Sequence, residues 1–162
     1  MSQSLRLHAT CIALATDRRS PLAGVLLLGP SGCGKSDFAL RLIDTCPYGR
    51  SRLTADDYVD LTQENDQWTA SAPEAIQGLI EVRGVGLVHM EAAPRVGLIA
   101  AVDLARPPAR LPEAERFHPD TNRSGPGLAL FRLNPFEASA ASKARIAVAA
   151  LLGGHLRHND DE

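Results

Sequence analysis

Val25-Leu26-Leu27-Leu28-Gly29-Pro30-Ser31-Gly32-Cys33-Gly34-Lys35-Ser36 is the stretch that decides the fold. A short unbroken apolar run ending at a glycine reads as a strand covered on both faces of a sheet. Gly29 to Ser36 then fits G-x-x-x-x-G-K-[ST]. Phe38, Ala39, Leu42 and Ile43 follow at helical spacing, with Pro47 beyond them, so the pattern predicts a helix over 35–45. Strand, glycine-rich turn and helix in this order make a phosphate-binding loop. Glycines let the backbone wrap closely around phosphate oxygens. Successive N–H groups and the helix N-terminus then supply positive charge. Lys35 would neutralise the outer phosphates, and the Ser36 hydroxyl would hold Mg²⁺. Gly29, Pro30, Ser31, Gly32, Cys33, Gly34, Lys35 and Ser36 are therefore the nucleotide-binding candidates. A chance glycine-rich turn would need neither the lysine nor the hydroxyl.

Outward from this loop, Arg52 to Thr54 reads as a short strand that ends in Ala55-Asp56-Asp57. Tyr58 to Thr62 and Trp68 to Ala70 read as a hairpin around a polar stretch. Leu79 to Val82 and Val96 to Leu104 are further strands. Residues 106–127, with Pro107, Pro108, Pro112, Pro119 and Pro126, are long for a structureless connection. Gly127 to Leu133 closes the set of strands, and residues 137–152 form a last helix. Trp68 is expected in the core, and His89, His118, His155 and His158 in solvent.

The chain has 162 residues and reads as one domain over 1–155, with 156–162 as a disordered tail. A net charge of −2 excludes a general nucleic-acid or anionic-membrane binder. Three cysteines, none in a C-x-x-C pair, fit a reducing, cytoplasmic setting without zinc or a disulfide framework. No segment reads as a signal peptide or membrane span.

Two further features carry chemistry. A carboxylate beside a phosphate loop can hold Mg²⁺ or accept a proton from an attacking hydroxyl, and Asp56-Asp57 could divide those roles. Glu81 and Arg83 alternate onto one face of an otherwise apolar strand. Buried charge is costly unless paired or metal-bound, which makes Glu81 a Mg²⁺ ligand candidate and Arg83 its partner or a phosphate contact; the alternative is an edge strand with a solvated charged face.

His8-Ala9-Thr10, the phosphate loop, Ala55-Asp56-Asp57 and Gly78-Leu79-Ile80-Glu81-Val82-Arg83-Gly84-Val85-Gly86 together resemble the catalytic domain of HPr kinase/phosphorylase. Glu81, Arg83, Gly84 and Gly86 form the family's own signature. The resemblance spans residues 5–152. It implies an α/β fold, a P-loop kinase core related to phosphoenolpyruvate carboxykinase, with a mixed sheet and flanking helices. It implies ATP- and Mg²⁺-dependent phosphorylation of a serine on the phosphocarrier protein HPr. It also implies phosphorolytic removal of that phosphate, in the service of the phosphotransferase system and carbon metabolism. It further implies pyrophosphate as an alternative donor and a homo-oligomer such as a hexamer.

Residue by residue, the resemblance makes Ser36 and Glu81 the metal ligands and Lys35 a catalytic residue. Asp56 is its first choice for proton acceptor, with Asp57 behind it. His8 matches a histidine near the active site, Arg110 an arginine on the transferring phosphate, and residues 122–127 a loop of the reverse reaction. The chain departs from the pattern in having Asp37 where Glu is usual, a longer stretch without the usual Gly-His between the loop helix and Asp56, a short middle and no N-terminal domain. It thereby resembles the family's compact form. The competing readings are a P-loop kinase of a small molecule and a non-catalytic nucleotide-binding regulator.

Overall fold

The computed structural model describes residues 2–158, so the expected tail lies outside the described residues from 159 onward. The sheet of nine strands is mixed. In chain order its first members are β1 (Gln3–His8), β2 (Thr10–Leu14) and β3 (Ala23–Leu28), then α1 (Lys35–Asp44) and β4 (Arg52–Ala55). The hairpin β5 (Tyr58–Glu64) and β6 (Gln67–Ser71) follows, then a separate two-stranded unit, β7 (Leu79–Val82) and β8 (Gly86–His89). The chain ends with β9 (Arg95–Asp103), β10 (Glu115–Phe117), β11 (Leu128–Arg132) and α2 (Ala140–Gly153).

β9 organises the sheet. Its first half pairs antiparallel with β6, its second half pairs parallel with β11, and β3 lies parallel along its other edge. From β3 the sheet continues antiparallel through β2 to β4, and from β6 through β5 to β1. Alternation then splits the core. Val25 and Leu27 face Phe38 and Leu42 of α1 and Ala144 and Val148 of α2, while Leu26 faces the opposite way, among Val59, Leu61 and Trp68. Both faces of β3 are thus covered, as its unbroken apolar run required. The helices share one face. The other face is closed by the sheet's own strands, since that second cluster draws on no helix.

Three local expectations change. Residues 3–14 form two strands that the sequence reading left unassigned; β1 alternates half-buried and exposed positions, whereas β2 is buried throughout. The proline-rich stretch 106–127 contains β10, paired with β11. It is anchored at its far end by Asp120, whose carboxylate accepts from the Ser124 hydroxyl and backbone N–H, and by Pro126, whose carbonyl accepts from the Trp68 indole. His118 is half-buried, with Nδ1 fully enclosed, because its ring packs against Gly127.

All three cysteines are free. Burial pushes the Cys11 thiol up to about 12. At Cys46 burial also opposes ionisation. Hydrogen bonds from the Ser51 hydroxyl and from the backbone N–H groups of Arg50, Ser51 and Tyr48 outweigh it and lower the thiol to about 6. The thiolate is the reactive form. Maleimide at pH 7 should therefore label Cys46 first, with labelling falling as pH drops below 6, and leave Cys11 unlabelled in the native protein; mass mapping that finds Cys33 first would contradict this.

Phe38, fully buried, fixes α1 and hence the glycine-rich loop before it to the sheet. Phe38→Ala should cost about 3–5 kcal/mol, read as a lowered urea midpoint. Ile146→Ala, on the exposed side of α2, should stay within about 0.5 kcal/mol.

Candidate functional site

β3 ends at Leu28 and hands the chain to Gly29, next to the parallel end of β9. The loop is strained into shape by glycine. A Cβ on Gly29 would stand 2.4 Å from the Cys33 Sγ, and Gly34, the N-cap of α1, has φ 100°. The Cys33 side chain would have to move for a Cβ at Gly29, and the positive φ at Gly34 strains any other L-residue there. Lys35 opens α1 but folds back, its Nζ donating to the carbonyls of Gly29 at 2.6 Å and Pro30 at 3.1 Å. It is 7% exposed, so its ammonium belongs to the interior of the loop rather than to a free surface.

The acid pair lies at the corner between β4 and β5. The Tyr58 N–H donates to the Asp56 carbonyl at 2.8 Å across a tight turn, and Asp57 at its centre has φ 69°. Asp is among the few residues that tolerate this region. The turn sends the two carboxylates in different directions. Asp56 goes inward: its Oδ1 accepts from the Ser36 hydroxyl at 2.8 Å and the Thr10 hydroxyl at 2.9 Å, and its Oδ2 from the Glu81 N–H at 3.4 Å. Asp57 stays exposed and pairs with His8 Nε2 at 2.9 Å. His8 is held there by the register of β1 on β5, which sets it opposite Tyr58, and by an edge contact with the Tyr58 ring.

The β7–β8 hairpin forms the remaining wall. Ile80 is buried in the helix-side core, with Val82 and Val88 packed against it. Glu81 points the other way and is exposed, and Arg83 lies beyond β7 in the exposed turn. The expectation that burial forces Glu81 to find a partner is therefore corrected. A hairpin apart from the main sheet covers only one of its faces, and charge on the other is solvated.

These parts enclose one cavity of about 420 Å³, within the range of small-ligand sites. Ser31, Gly32, Gly34, Lys35 and Ser36 line it together with His8, Asp56, Asp57, Glu81 and Arg83. Of the loop, Gly29, Pro30 and Cys33 shape the backbone without lining the cavity, and of the hairpin neither do Gly84 and Gly86. Arg110 is exposed on the 106–114 segment and residues 122–127 pack near Trp68; neither reaches the cavity. Thr10, quoted from sequence within His8-Ala9-Thr10 but given no role, and Phe136, not singled out, also line it. The role of Thr10 shows only once its partner Asp56 is known, and Phe136 arrives from the loop between β11 and α2, far along the chain.

The donor set suits a hard cation. Among the described residues no group of three or more His, Cys, Asp or Glu could hold a metal alone. Mg²⁺ needs no such cage, because it is commonly held by one or two carboxylates together with substrate phosphates and water. The Ser36 hydroxyl, the Asp56 carboxylate and the nearby Glu81 carboxylate are oxygen donors of that kind.

Residues 1–99 match the family model "HPr Serine kinase C-terminal domain". That span holds the phosphate loop, the acid pair and the β7–β8 hairpin, and stops short of Arg110. The chain is 47% identical over 68 residues to "HPr kinase/phosphorylase" of Bacillus pumilus (strain SAFR-032), across 41% of this chain and 21% of that protein. It is 43% identical over 77 residues to the protein of the same name from Thermoanaerobacter sp. (strain X514), across 47% and 24%. The matches thus span about a fifth to a quarter of these relatives' own length. Among solved structures, the Hpr(Ser) kinase/phosphatase from Coxiella burnetii superposes with a TM-score of 0.66 at 22% identity, covering 93% of this chain and 90% of that one. At this identity the likeness is one of fold, a mixed α/β architecture.

Asp56 is the most connected group in the cavity, so removing it should be felt in stability. Asp56→Ala leaves the Ser36 and Thr10 hydroxyls without their acceptor and should cost about 1–3 kcal/mol. Asp57→Asn, which keeps a residue tolerant of positive φ, should stay within about 0.5 kcal/mol. Urea unfolding of both variants checks the contrast, and equal losses would refute it.

Proposed function

Because the chain belongs to the HPr serine kinase C-terminal domain family, we propose that it phosphorylates a serine of an HPr-type phosphocarrier protein with ATP and Mg²⁺, and removes that phosphate by phosphorolysis. The observation that carries this reading is the division of the acid pair within one cavity. One carboxylate is tied to the phosphate-loop serine, and the other faces outward on a histidine. A kinase core of the phosphoenolpyruvate carboxykinase type, a cytoplasmic location and a homo-oligomer follow from the same reading.

The loop N–H groups and Lys35 bind the phosphates. Lys35 would exchange its carbonyl partners for phosphate oxygens, a stronger, charge-assisted contact. Bound Mg²⁺ would neutralise charge on the phosphates, held through Ser36 and Asp56 with Glu81 of the same cavity. Asp57 is the better proton acceptor, because Asp56 already accepts three hydrogen bonds and is buried whereas Asp57 is open to an incoming hydroxyl. This exchanges the roles that the sequence reading assigned first. His8 orients the Asp57 carboxylate. In the forward direction Asp57 takes the proton as the serine oxygen bonds to phosphorus and the bond to ADP breaks. In reverse it returns the proton to the serine oxygen as inorganic phosphate takes the phosphoryl group and leaves as pyrophosphate.

Incubation with ATP, Mg²⁺ and HPr, followed by intact-mass analysis, should add one phosphoryl group to HPr. Lys35→Met should abolish this. Asp57→Asn should lose about 10²–10⁴-fold in both directions with near-parental Mg-ATP affinity. Asp56→Asn should lose affinity as well. The opposite pattern would restore Asp56 as proton acceptor. ATP turnover on a small molecule with HPr untouched would favour a small-molecule kinase.

A further inference from the structure

Phe136 lies between β11 and α2, is 77% exposed, and yet lines the same cavity as the phosphate loop. Single exposed apolar residues are ordinary on protein surfaces, so exposure alone means little. Placement and restraint mean more. A Cβ built on Gly34 would meet the ring at 3.7 Å, so the ring borders the phosphate loop itself. The segment is also strapped to the loop's helix. The Arg41 guanidinium donates to the carbonyls of Pro135 and Glu137, on either side of Phe136, while Arg41 itself rests over Phe38 and pairs with Asp37. The Phe136 N–H donates to Asn134 Oδ1 at 3.0 Å. An apolar ring is thus held in the open by hydrogen bonds made by its neighbours.

The cavity's chemistry is uneven. Asp56, Asp57, His8 and Glu81 make one polar wall, while Leu40, Val82 and Phe136 are its apolar members. Val82 packs on the core and Leu40 is half-buried, which leaves Phe136 as the one apolar side chain there presented in full. A base joined through a single ribose to phosphates seated in the loop must lie against the walls of this cavity. A flat, exposed aromatic bordering Gly34 is the surface that suits it. We propose that Phe136 is the stacking platform for the base of the bound nucleotide, so that this ring separates a nucleotide from a bare polyphosphate. The proposal rests on the nucleotide reading of the phosphate loop and deepens it. It also predicts tolerance among bases, since every base offers a π-face.

The test is isothermal titration of the parent, Phe136→Ala and Phe136→Trp with Mg-ATP, Mg-ADP and Mg-pyrophosphate. Phe136→Ala should weaken both nucleotides roughly 10-fold, in line with stacking losses elsewhere, and leave pyrophosphate unchanged. Phe136→Trp should restore nucleotide affinity. Equal weakening of nucleotide and pyrophosphate would show that Phe136 only props the loop, and unchanged nucleotide affinity would show that the ring does not contact the base; either result overturns the proposal. A parent protein that binds neither nucleotide nor pyrophosphate would fail differently, by removing the phosphate-loop reading on which the proposal stands.

Discussion

The Asp56 carboxylate is the interaction on which the site depends. It accepts hydrogen bonds from the Ser36 hydroxyl at the start of α1, the Thr10 hydroxyl on β2 and the Glu81 N–H on β7. Three elements far apart in sequence are referred to one side chain. A carboxylate so enclosed is tolerable only because its oxygens are satisfied. The same arrangement aligns phosphate loop, sheet and hairpin. The loop's hydroxyl is held towards the acid, and the hairpin that carries Glu81 and Arg83 is docked by backbone as well as by Ile80 beneath it.

The positive-φ corner at Asp57 complements this anchor. Adjacent residues in an extended strand would point to opposite faces, one into the core and one away from the site. The tight turn instead leaves both acids lining one cavity, one buried and one open. Their chemical difference then comes from environment rather than residue type. That division is the basis for giving metal support to the inner acid and proton transfer to the outer one.

The strand, glycine-rich turn and helix around Gly29 to Ser36 were legible because their requirements are local. Gly29 and Gly34 are needed for backbone shape, and Lys35 and Ser36 follow within the same turn. The strand before and the helix after also emerged within a residue or two. The hairpin of β5 and β6 was legible for the same reason: its turn residues Asn65 and Asp66 adopt the positive φ that such a polar pair allows. β1 and β2 were missed because a half-buried edge and a fully buried strand side by side do not make one clear period. The burial inferred for Glu81 failed because an apolar strand does not reveal whether one of its faces or both are covered.

Sequence alone pointed to a mixture of strands and helices and to a strand, glycine-rich turn and helix around Gly29 to Ser36, because each follows from contiguous spacing and backbone chemistry. Tertiary structure decided where those residues sit relative to one another. His8 meets Asp57 across 49 residues of chain only through the β1–β5 register, and a slip of one position would turn His8 to the other face. Phe136 reaches Gly34 only through the docking of the β11–α2 loop on Arg41, and Arg110 is kept away by the path of the 106–114 segment. Such pairings are set by strand register and packing between distant segments, and no spacing along the chain encodes them.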